Sequence, residues 1–341
     1  MIEVLHPGRL SSIQDLGRNG YAHLGVPTAG AADGFSLRVA NRLVGNPDTH
    51  AAFEMTAEGP ALRFGEDICL ALAGGRLDAQ LDGEPVPMYQ TLMVKAGSEL
   101  RCGRVMDGWR SYLAVAGGID AAPVLGSCSR DTLSGLGPEP LETGVSLKSG
   151  VVSAMAAGFY LRTPPRYGQA VCLRILAGPQ QDWFAPEALL ALRGETYRVQ
   201  AQSDRVGVRL DGVVLGRSRA EELPSMGMVT GAVQVPPSGK PIALLADHGA
   251  TGGYPVIAVV IAADLPLLAQ LAPGGEVRFS DVSREQALAA LQEREARLAR
   301  DVVAADAGLL AARALMSLAG GHASLRQAAI SDGTRRIRIR K

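Results

Sequence analysis

A chain of 341 residues, 47% of them hydrophobic, is long enough for about two domains, each with a core of its own. Lysine plus arginine and aspartate plus glutamate number 34 each, so no net field draws the chain to nucleic acid or to an anionic membrane surface, and neither is expected as a partner. With 41 glycines, 20 prolines and 4% aromatics, the composition favours many short strands joined by tight turns over a helical bundle.

Residues 1–10 lack a basic segment followed by an apolar one, and the most apolar run, 254–272, is interrupted by Asp264 and Pro266; a cytoplasmic location is expected. A first strand, 2–5, ends at Pro7-Gly8, and the loop after it carries Gln14, Asp15 and Arg18 between glycines. Asp33 is placed to cap a helix with apolar positions Leu37, Ala40, Leu43 and Val44, stopped by Gly45-Asn46-Pro47. Short strands follow at 61–64, 68–73, 91–94 and 111–116, the pattern of a sandwich or barrel. Residues 127–137 form a polar loop with Arg130 and Asp131, and Thr163-Pro164-Pro165 opens the best linker. Cys69, Cys102, Cys128 and Cys172 show neither zinc-knuckle nor disulfide-framework spacing and are read as reduced thiols.

Beyond the linker come a strand at 171–176, a polar turn with Gln180, a helix at 186–193 stopped by Gly194, and a strand at 197–201. Strand signals at 233–235, 242–246, 256–261 and 276–279 follow. Ser283 with Gln286 makes a capping box, and a second helical run is expected over 302–318, stopped at Gly320-Gly321. The basic tail at 335–341 reads as a frayed or edge-pairing end.

The richest stretch is 229–255, where Gln234, Ser238, Gly239, Lys240, Asp247, His248, Thr251, Gly252 and Tyr254 are threaded between glycines and prolines. Freed backbone N–H groups there favour a carbonyl or anionic oxygen. There is no phosphate-binding G-x-x-x-x-G-K-[ST], no G-x-G-x-x-G, no G-x-S-x-G, no histidine pair at zinc spacing and no biotin-attachment lysine, so no metal is expected and any carrier comes from outside. What remains are amides, carboxylates, arginines and a lysine suited to orienting a small polar carbonyl compound. Each has a structural alternative: Asp15, Asp204 and Asp247 as turn or cap residues, Arg18 and Arg205 as their ion-pair partners, Lys240 as a solvated side chain.

The runs I-Q-D-L-G-R-N-G-Y (13–21), G-A-A-D (30–33), A-N-R-L-V-G-N (40–46), G-G-I-D (117–120), L-S-G-L-G-P (133–138), G-P-Q-Q-D-W-F (178–184), S-D-R-V-G-V-R-L-D-G (203–212), Q-V-P-P-S-G-K-P-I (234–242) and T-G-G-Y-P (251–255) together resemble the biotin-dependent carboxyltransferase family. That family includes the C component of 5-oxoprolinase, the KipA protein and the second half of the carboxyltransferase module of urea amidolyase. The resemblance covers about residues 1–282 and implies a mainly β fold with few helices, in two cyclophilin-like β-barrel domains; the linker divides them into 1–165 and 166–282, and a helical extension at 283–341 lies largely beyond the resemblance. Two loops depart from the family pattern, at Gly249-Ala250 and at Cys128 and Arg130.

Function follows from the resemblance as an expectation: an enzyme component, not active alone, in an ATP-dependent 5-oxoprolinase that opens 5-oxoproline to glutamate. Its expected partners are the KipI-like B component of that enzyme and its A component. The alternatives are a carboxyltransferase moving carboxyl from a partner's carboxybiotin to urea or another amide, and a KipA-like antagonist of a kinase inhibitor. No covalently bound cofactor is expected; ATP acts through the complex. The catalytic candidates are Lys240, Asp247, Arg205 and Gln234. Gln14, Asp15, Arg18, Gln180, Asp204, Ser238, Gly239, His248, Thr251, Gly252 and Tyr254 are the substrate-binding candidates.

Overall fold

The computed structural model describes residues 1–150, 158–219, 221–306, 308–310 and 312–313. Its first half is built from two antiparallel sheets. One has seven strands, in the order Ile119–Asp120, Ser146–Ser149, Ile2–His6, Ala61–Phe64, Glu99–Arg101, Gln80–Leu81 and Glu84–Pro85. The other has five, in the order Leu10–Gln14, Ala52–Thr56, Val105–Val115, Ile68–Leu77 and Leu92–Val94.

The run Ile68–Leu77 is apolar almost throughout because both faces of its sheet are covered. Leu70 and Leu72 face the seven-stranded sheet with Phe53, Met55, Leu62, Phe64, Leu113 and Val115. Cys69, Ala71 and Ala73 face helix α1 (Gly34–Leu43), whose Leu37, Val39, Ala40 and Leu43 fill that side. Alanines on the helix side let α1 sit close to the sheet. Asp33 caps α1, its carboxylate accepting from Ser36 N at 2.9 Å.

The second half is a closed barrel of Ala170–Ala177, Val256–Val260, Ala232–Gln234, Ile242–Leu244, Gly207–Asp211, Tyr197–Val199 and Glu276–Asp281. Closure comes from a parallel pairing of its first and last strands, Ala170↔Glu276 through Ile175↔Asp281. Helix α2 (Pro186–Gly194) packs Ala188 and Leu192 into the barrel core. Helix α3 (Leu265–Ala269) ends at Gln270, whose carboxamide reaches into the first half. Its Oε1 accepts from Trp109 N and Arg110 N at 2.9 and 3.0 Å, and its Nε2 donates to Asp33 Oδ2 and Arg110 O at 2.8 Å each.

Helix α4 (Arg284–Asp301) opens with the expected capping box of Ser283 and Gln286. The helix expected from 302 is different at its start: Val302–Ala305 is a strand, antiparallel to Gly158–Leu161. Two β-branched residues directly after Asp301 and an unpaired strand edge beside them favour extended backbone there. The rest of that expected run lies largely outside the described residues, as do Gly320-Gly321 and the tail at 335–341. Among the described residues no helix is long and apolar enough to cross a membrane.

Candidate functional site

The seam between the sheets and the barrel is the most polar part of the interior. In the strand Ala52–Thr56, alternation puts Phe53 and Met55 in the core between the sheets and turns Glu54 to the opposite face, beside Ala52. Register sets Tyr112 directly across from Glu54, and the phenol donates to Glu54 Oε2 at 2.7 Å. Ala32 N donates to the same oxygen at 2.8 Å. From the barrel side Arg205 forks onto Asp247, with Nε to Oδ2 at 2.9 Å and Nη2 to Oδ1 at 2.7 Å. Its Nη1 bonds Glu54 Oε1 and its Nη2 also donates to Gly30 O at 2.6 Å. Thr132, from the loop after the first half's long strands, donates to Asp247 Oδ2 through N and Oγ1 at 2.9 and 2.6 Å.

Burial alone would lower the Arg205 pKa, but the fields of Glu54 and Asp247 overcome it and hold the guanidinium above its ordinary value. Arg110 is lowered by burial, which the field of Glu54 only partly offsets. Burial also raises Asp33, against hydrogen bonds from Gln270 and Ser36, and raises Tyr112, where Glu54 adds to the effect.

A second polar cluster holds the loop at 124–131. Asp15 Oδ1 accepts from Gly17 N at 2.7 Å and from the hydroxyls of Ser127 and Ser129 at 2.6 Å each, while Oδ2 accepts from Cys128 N at 2.7 Å. Gln14 Nε2 donates to Arg130 O at 2.8 Å. Arg18 Nη2 donates to Ser129 O at 2.5 Å and Nε to Val124 O at 3.5 Å. Gly17 must be glycine: at φ +87° its missing Cβ would stand 2.7 Å from Thr28 O. That close approach lets Arg18 N donate to Thr28 O at 2.8 Å.

The residues that follow Arg18 and Asp247 border a cavity of about 280 Å³ that is open to solvent, lined by Asn19, Thr28, Met228, Thr230, His248 and Ala250 among others. The Nδ1 atom of His248 is 2.8 Å from Gly249 O, and since a carbonyl only accepts, Nδ1 carries the proton. In the neutral ring Nε2 is then the lone-pair nitrogen, suited to take a proton from a ligand N–H or O–H.

Other sequence candidates sit elsewhere. Gln234 ends one barrel strand beside Ile242, whereas Asp247 follows the far end of the neighbouring strand, so the two are separated by on the order of 10 Å of strand. Gln180 joins Gln234 at the end away from Asp247: Gln180 Oε1 accepts from Val256 N at 3.0 Å, and the two amide nitrogens face the sulfurs of Met226 and Met228. Lys240 leaves the group altogether, its ammonium 2.5 Å from Asp211 with 43% of its side chain exposed. Ser238 is exposed on the same turn, where Gly239 packs against Val214 and Leu215. Asp204 is a turn residue, its Oδ1 accepting from Val206 N and Gly207 N at 2.8 and 3.1 Å. Thr251 and Gly252 pair with Gly227 and Met226, and Tyr254 is exposed beside them. Lys240 thus stands apart from Asp247, whereas Gln234 abuts Met228, which lines the cavity together with His248.

Glu54, Thr132, Tyr112 and Gln270 escape sequence reasoning. The available signal is Glu54, a lone carboxylate inside the apolar run 51–55, since a buried acid needs a partner.

Residues 24–281 match the carboxyltransferase domain, subdomain A and B. The chain belongs to that family. It is 38% identical to the C component of 5-oxoprolinase from Escherichia coli over 298 residues, 86% of this chain and 96% of that one. It is 32% identical to urea amidolyase of Saccharomyces cerevisiae over 83% of this chain but only 17% of that protein. The solved urea amidolyase of K. lactis shares the fold, with a TM-score of 0.80 and 30% identity over 87% of this chain and 20% of its own. Another solved chain, at 40% identity and a TM-score of 0.76, is spanned over about half its length, 55%.

Proposed function

We propose that this chain is the C-type component of an ATP-dependent 5-oxoprolinase, which opens 5-oxoproline to glutamate together with a KipI-like B component and an A component. The observation that carries the reading is coverage: the chain matches 96% of the E. coli 5-oxoprolinase component but only 17% of the yeast urea amidolyase. The cavity is in keeping with it. Asn19, Thr28 and Thr230 offer neutral donors to a lactam carbonyl, and His248 offers an acceptor to the ring N–H. ATP chemistry belongs to the other components, because the sequence has no phosphate-binding glycine loop. The test is reconstitution of 5-oxoproline-dependent ATP hydrolysis from the purified components with and without this chain. Activity should disappear on omission; unchanged activity overturns the reading.

A second reading, carboxyl transfer from a partner's biotinyl carrier to urea or another amide, draws on the match to the family and to urea amidolyase. The same cavity has room for a ureido ring and donors for its carbonyl, and the carrier would supply the carboxyl group. Bicarbonate-dependent carboxylation of an amide, on adding a biotinylated carrier and its carboxylase, would favour it.

A further inference from the structure

Arg18 is 1% exposed, yet no carboxylate is paired with it among the described residues. Its contacts are the two main-chain carbonyls of Val124 and Ser129, and its Nη1 has no partner. The nearest acid in sequence, Asp15, is committed to Gly17, Ser127, Cys128 and Ser129. A guanidinium withdrawn from water normally brings its counter-charge with it, as Arg205 does between the sheets and the barrel. The main chain of Arg18 borders the cavity: Asn19 lines it, and so does Thr28, whose carbonyl receives Arg18 N. The turn that receives the guanidinium carries the non-glycine Leu125 at φ 52°, between the bridged residues Val124 and Ser127.

We propose that Arg18 is the seat of a ligand carboxylate, completed when an anionic oxygen pair binds beside Nη1. Two sources share this chemistry: the carboxylate of a cyclic amino acid, or the carboxyl group of bicarbonate or of a carboxylated carrier. Only the first rests on the lactam reading above; the seat itself does not. An arginine is suited to the task because its planar fork matches a carboxylate in two parallel bonds.

The experiment is calorimetric titration of the full-length chain, on its own, with 5-oxoproline, uncharged 2-pyrrolidinone, formate and bicarbonate. The expected result is binding of carboxylates at least tenfold tighter than of 2-pyrrolidinone, and at least a tenfold loss of that binding in Arg18→Met. If 5-oxoproline exceeds formate tenfold or more, the source is the cyclic acid; if formate and bicarbonate equal it, the source is the carboxyl donor. A folded Arg18→Met protein that binds carboxylates like the wild type overturns the proposal. Should that variant not fold, the guanidinium ¹⁵N signals of the wild type decide: movement of the Arg18 signal under formate supports the seat, and an unmoved signal overturns it. Because the readout uses this chain alone, failure of the reconstituted hydrolysis and failure of the seat are separate results.

Discussion

Arg205 is buried at the seam and Arg18 within the first half, and their surroundings differ in one respect. Arg205 is bracketed by Asp247 and Glu54 and every nitrogen has an acceptor, whereas Arg18 holds only main-chain carbonyls and keeps one nitrogen free. Saturation marks a group that fixes architecture, since a ligand would first have to displace an existing ion pair. An unfilled donor on a buried cation marks a group with capacity left over. The catalytic assignment of Arg205 and Asp247 is therefore better replaced by positioning: they join barrel to sheets and hold Thr132 and the loop it belongs to beside the cavity.

The sharpest way to break this contrast is Arg205→Met, which leaves Asp247 a buried acid without its cation and Glu54 with only Arg110, at 3.7 Å. A loss of about 3–5 kcal/mol in urea unfolding is expected, and a smaller loss than for Arg18→Met would reverse the comparison. Next comes His248→Gln, which keeps a polar side chain in the cavity but removes the proton acceptor; turnover of the assembled enzyme should fall about 100-fold with the unfolding midpoint unchanged. Arg18→Met should cost only about 1 kcal/mol of stability, because it removes bonds to two carbonyls and no ion pair. Asp33→Asn probes the seam by pH. The folded carboxyl is raised above 3.8, so its contribution to stability is complete below that value and is lost as pH rises through the folded one. Thermal midpoints should show the Asn variant gaining on the wild type as pH goes from about 4 to about 8. The smallest effect belongs to Lys240→Ala, which breaks a surface pair and should leave turnover within about twofold.

Local signals in the sequence carry the fold well where one residue decides one turn of chain. The Asp33 cap, the stop after Leu43 and the Ser283 box lie where their spacing places them. They fail at Val302, where a partner strand from far back in the chain (Gly158↔Ala305 to Leu161↔Val302) settles the conformation. The seam is a harder case. Arg205 beside Asp204 reads as a local pair, yet its partners are Glu54 and Asp247, 151 and 42 residues away. Nothing along the chain reports a contact that only the docking of two β units creates. Lys240 shows the converse: a charged residue within a motif looks chemical in sequence, and only its exposure shows that it is solvated.

The carboxamide of Gln270 gives all four of its bonds to Asp33, Trp109 and Arg110. A swing of the barrel away from the sheets would strip those four bonds together, so the carboxamide opposes hinge opening between the two halves. The cavity needs no such motion to admit a ligand, because Asn19, Ala22 and Val229 on its wall are already exposed to solvent.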